Sequence, residues 1–126
     1  MNSLSEAEYL PTSAGRRPAP NTAPHSAMTN LQAAAFASAT DAYRDATALF
    51  ALAFRTATMD TPTGDIALED FDLLIKLQGS VVDCALTMLE TAPNGVETSR
   101  ALLREKFART RLLDLTQEAA DIRAAR

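Results

Sequence analysis

Side chains able to carry chemistry are scarce in this chain. It has one histidine, His25, and one cysteine, Cys84. A Ser-His-Asp or Cys-His set needs a histidine held on a fixed element beside its nucleophile. His25 instead follows Pro18, Pro20 and Pro24, in a stretch where proline interrupts regular structure. A phosphotransfer bundle would need that histidine exposed on a helix face, and it is not on one of the expected helices. Cys84 stands among Val81, Val82, Ala85 and Leu86, a setting that suits a buried, unreactive thiol. Two-iron helical sites use inward Glu and Glu-x-x-His pairs, which this chain lacks. Asp41 and Asp45, one turn apart, read as solvated carboxylates. The four glycines are scattered and form no phosphate loop. The expectation is a protein that is not an enzyme and uses no cofactor and no metal.

One charged cluster remains. Arg100, Arg104, Lys106, Arg109 and Arg111 form a basic stretch, with Arg100, Arg104 and Arg111 on one side at helical spacing. It could serve an anion or a nucleic acid. The formal net charge of −4 and a pI near 4.9 oppose that, because nucleic-acid binders neutralise phosphates with surplus base. The favoured reading is a solvated face, or one paired with acids elsewhere in the chain. Such acids are available. Residues 28–93 hold nine acids against three bases, and residues 94–126 hold five against seven.

The elements that position these residues are helical. Residues 1–28 carry Pro11, Pro18, Pro20 and Pro24 among Ser, Thr, Ala and Asn, and are expected to form a disordered tail. Within it, residues 5–10 could form a short turn presenting Tyr9 and Leu10. Residues 29–126 are expected to form one helical domain with helices at about 30–59, 66–91 and 95–124. Thr29 and Gln32 fit a capping box, Asp65 an N-cap, and Asn94 with Glu97 a second capping box. Asp60, Thr61 and Pro62 should stop the first helix, and Pro93, Asn94 and Gly95 separate the second from the third. Alanine-rich stretches such as residues 31–35 favour helix because alanine loses no side-chain entropy there. Gly79 is the one glycine inside a helical segment, marking a bend or a close helix approach.

Apolar periodicity gives each helix a face. Phe36, Tyr43 and Phe50 recur every seven residues, joined by Ala39, Ala46, Ala53 and Phe54. Phe71, Leu74, Ile75, Val81, Val82, Ala85, Met88 and Leu89 form the second stripe, the greasiest of the three. Val96, Leu102, Leu103 and Phe107 form the upper part of the third, and Leu112, Leu115, Ala119 and Ile122 the lower. Helices of similar length, about 40–45 Å, with short joints predict an all-α antiparallel bundle of three long amphipathic helices. No apolar run approaches the length needed to span a bilayer, and no secretory signal is visible.

The segment Val82-Asp83-Cys84-Ala85-Leu86-Thr87-Met88-Leu89-Glu90, the Pro93-Asn94-Gly95 break, and Phe107-Ala108-Arg109-Thr110 continuing through Leu112 to Ala120 resemble the phasins. These proteins coat polyhydroxyalkanoate storage granules in bacteria. The resemblance covers roughly a third of the chain. It implies a cytoplasmic, non-enzymatic protein that binds a polyester surface and self-associates. The residues expected to make apolar contact are Phe36, Tyr43, Phe50, Phe54, Phe71, Leu74, Phe107 and Leu112. The alternative is a protein-interaction module, such as an adaptor, a secretion chaperone or a phage or secretion-system component, using the same stripes as an oligomer or partner seam.

Overall fold

The computed structural model describes residues 22–59, 61 and 63–126, with side chains from residue 29 onward. The tail expected over residues 1–28 lies outside this range as far as residue 21, with Tyr9, Leu10, Arg16 and Arg17. The His25 side chain, Asp60 and Pro62 also lie outside it. The described residues form three helices: α1 (Thr22–Met59), α2 (Leu68–Thr91) and α3 (Gly95–Ala125). Gln32–Arg126 is one compact unit, and the chain up to Leu31 is a separate one.

Two helix starts differ from expectation. α1 begins at Thr22 rather than about residue 30, so Thr29 lies inside it and not at its start. Pro24 falls in the first turn, where a missing N–H costs no internal bond. Gln32, released from a capping role, donates from Nε2 to the Ala92 carbonyl at 3.1 Å, tying α1 to the α2–α3 joint. α2 begins at Leu68 after Ala67, with no side-chain cap. Asp65 instead accepts a hydrogen bond from the Thr63 hydroxyl at 2.9 Å. Between them Gly64 adopts φ +78°, a left-handed conformation that disfavours a Cβ, and its N–H closes a turn onto Thr61. The third start is as expected: Asn94 Oδ1 accepts the Glu97 N–H at 2.9 Å.

The helices are unequal, with 38, 24 and 31 residues. Within α2, the positions 71, 74, 78, 81, 85 and 88 are buried, alternating steps of three and four. α3 buries 101, 105, 108, 115 and 119 in the same rhythm. α1 turns Ala39, Phe50 and Ala57 inward in phase with half-buried Phe36, Tyr43, Ala46 and Ala53. Three seven-residue seams are the pattern of knobs-into-holes packing. Phe50, Ala57, Phe71, Leu74, Val81, Val82, Ala108, Leu115 and Ala119 form the main core, and Ala39, Met88 and Ala101 a second one toward the α2–α3 joint.

Alanine decides how closely the helices approach. Ala85, Ala101 and Ala119 are fully buried. On α3 this overturns the expected upper stripe. Val96, Leu102, Leu103 and Phe107 are all exposed, while Ala101, Glu105 and Ala108 face inward. Two polar side chains occupy seam positions. Gln78 donates to the Ala108 carbonyl at 2.9 Å across the interface. Glu105 is capped by Arg109, whose Nε and Nη2 reach its two oxygens at 2.9 and 3.1 Å.

Candidate functional site

The residues expected to make apolar contact divide by burial. Phe71 and Leu74 are 2% and 1% exposed and Phe50 is 5% exposed, so all three are core side chains within one chain. Phe36, Tyr43, Phe54 and Leu112 are half-buried along the helix seams. Phe107 alone stands out into solvent, 69% exposed. Phe50 and Phe54 stack with ring centroids 6.0 Å apart.

The basic stretch of α3 does neither of the things expected of it in full. Arg111 lies over both Phe50 and Phe54, at 5.0 and 5.6 Å from the ring centroids. Arg104 lies over Tyr43 at 6.0 Å. These guanidiniums cover the open edge of the aromatic seam through cation–π contact and through their own apolar stems. Of the ion pairs among the described residues, only Arg123 with Asp72, at 2.8 Å, joins two helices. Arg44–Asp41, Arg100–Glu97 and Arg109–Glu105 lie within single helices. Asp72 is therefore the one described acid of α1 and α2 that pairs with a base of α3.

Leu49 and Leu52, which widen the apolar face of α1 in the sequence, belong to a second periodicity beside its core seam. Positions 35, 38, 42, 45, 49, 52, 56 and 59 follow the same rhythm as its core seam, displaced to one side, and every one is exposed. Ser38, Asp45 and Thr56 among them are polar, so the large apolar side chains gather at the lower end, from Leu49 to Met59. Leu49 and Leu52 are more than half exposed, and Met59 is exposed further. Across a groove of about 420 Å³ Leu49 and Leu52 face Leu73 and Leu77 of α2, with Asp70 also lining it. The strip is about 36 Å long at the helical rise. The signal was legible as Leu49, Leu52 and Met59 at helical spacing. It was masked because alanines fill both this strip and the core seam.

A cleft of about 550 Å³ between the α1–α2 joint and the end of α3 is lined by Asp65, Glu118 and Asp121 with Ile66, Phe71 and Ile122. No group of three His, Cys, Asp or Glu side chains placed to hold a metal occurs among the described residues. Cys84 is half-buried rather than buried. Burial, with the charge of Asp83 adding to it, raises its pKa, which keeps the thiol protonated and weakly nucleophilic. No described helix is long and apolar enough to cross a membrane.

Comparison with protein families, characterised proteins and solved structures yields no match.

Proposed function

We propose that this chain is a non-enzymatic helical protein that binds a hydrophobic surface, in the manner of a phasin-like coat on polyhydroxyalkanoate granules in the cytoplasm. The exposed apolar strip of α1, continued by Leu73 of α2, carries this reading. A monomeric soluble protein seldom clusters several large apolar side chains in water, as Leu49, Leu52, Met59 and Leu73 are here, and such clusters mark binding faces. A surface of ester and alkyl groups accepts such a cluster without requiring a shaped pocket.

A second reading follows from the groove itself. Leu49, Leu52, Leu73 and Leu77 line a channel between two helices, the shape that receives an apolar helix of a protein partner. One assay separates the two. Purified protein is sedimented with polyhydroxybutyrate particles, beside a globular control of similar size. Wild type is expected to co-sediment, and Leu52→Glu/Leu73→Glu to lose most of that binding with its helical spectrum intact. Absence of co-sedimentation above the control sinks the granule reading and leaves the partner-helix one.

A further inference from the structure

The outer face shared by α2 and α3 carries features that a single chain does not use. On α2, Asp72, Gly79 and Leu86 recur every seven residues, and Asp83 and Glu90 share that side. On α3, Leu102, Lys106, Arg109 and Leu113 follow the seven-residue rhythm one step beyond the core seam, all exposed. The Asp72–Arg123 bridge spans the two helices on this side. One edge of the face is thus acidic, relieved only by Lys76, and the other is basic. Leu86, Leu102 and Leu113 lie between, 40%, 53% and 63% exposed.

Gly79 is the unexplained residue. It sits in the middle of α2, where glycine weakens a helix. A Cβ at this position would meet nothing within 4 Å among the described residues, so none of them requires its absence. A glycine in that position suits the close approach of a helix from outside.

We propose that this face binds a second copy of the chain about a two-fold axis parallel to the helices. Each α2 then lies antiparallel against the partner's α3, so acidic edge meets basic edge twice. The levels agree. Gln78 is bonded to the Ala108 carbonyl, and Met88 shares a core cluster with Ala101. Asp83 therefore stands near the height of Lys106, and Leu86 near that of Leu102. An axis along the helices preserves height, placing Asp83 against the partner's Lys106 and Leu86 against the partner's Leu102. Gly79 admits the partner's α3 at its middle. Arg109 keeps its bonds to Glu105 and contributes its exposed charge. The α1 strip stays clear, so this dimer does not depend on the granule reading.

Sedimentation equilibrium on the full chain tests it. Wild type is expected at twice the 13.5 kDa chain mass, dissociating as salt rises. Gly79→Gln is expected to melt at a higher temperature, because it fills open space with a better helix former, yet to dimerise at least tenfold more weakly. Asp83→Lys is expected to weaken the dimer, and Asp83→Lys/Lys106→Glu to restore it. A wild-type chain that stays monomeric up to about 1 mM, the weak end of measurable association, overturns the proposal. So does a Gly79→Gln protein that dimerises like wild type, or a double reversal that fails to restore association.

Discussion

Arg111 reads in the sequence as part of a solvated or acid-paired basic face, yet its guanidinium rests on two phenylalanine rings of α1. The cation is attracted to the ring faces, and its stem shields the edge of the core. Replacing it with alanine is expected to cost about 0.5–1.5 kcal/mol, through lost cation–π contact and lost cover. Urea denaturation measures this, and an unchanged midpoint would contradict the role. Residue types alone could not show it, because an arginine on a helix reads the same whether it faces a phosphate, a carboxylate or a ring. Glu105 presents the converse case. Its charge marks it for the surface, but it occupies a seam position and is buried, with Arg109 one turn on supplying its bonds. The i,i+4 spacing of Glu105 and Arg109 was legible. That this pair straddles the boundary between core and water was not.

Among the helices, those whose ends are set by local chemistry were the most legible. α3 starts where Asn94 and Glu97 said it should, because a side-chain cap is a matter of a few consecutive residues. Asn94→Ala is expected to destabilise the fold by about 1 kcal/mol, seen as a lower thermal midpoint. An unaltered midpoint would mean the cap is redundant with the Pro93–Gly95 break. α2 starts three residues after the best capping candidate, because Asp65 is engaged by Thr63 and the chain must still pass Ile66 into the core. α1 starts seven residues before Thr29, since residues between Pro24 and Thr29 extend a helix once the rest of it is nucleated.

At the scale of the molecule, small residues at the centre set the architecture. Ala85, Ala101 and Ala119 let the helix backbones close up, and Val96, Leu102, Leu103, Phe107 and Leu113 of α3 are left outside. Ala101→Leu is expected to destabilise by about 1–3 kcal/mol through overpacking, although leucine is nearly as good a helix former. A thermal midpoint at or above wild type would show that the joint end of the core has room to spare. Sequence by itself determined the all-α class, the three-helix division, the joints near residues 62 and 94, and the poverty of catalytic groups. These follow from propensity, turn chemistry and composition, which are properties of neighbouring residues. Which of two adjacent seven-residue stripes turns inward was decided only in the tertiary structure. Alanine satisfies both stripes on α1. On α3, burying the alanine stripe allows a closer fit to α2 than burying Leu102, Leu103 and Phe107 would. The same choice leaves the α1 strip and the α2–α3 face open to other molecules.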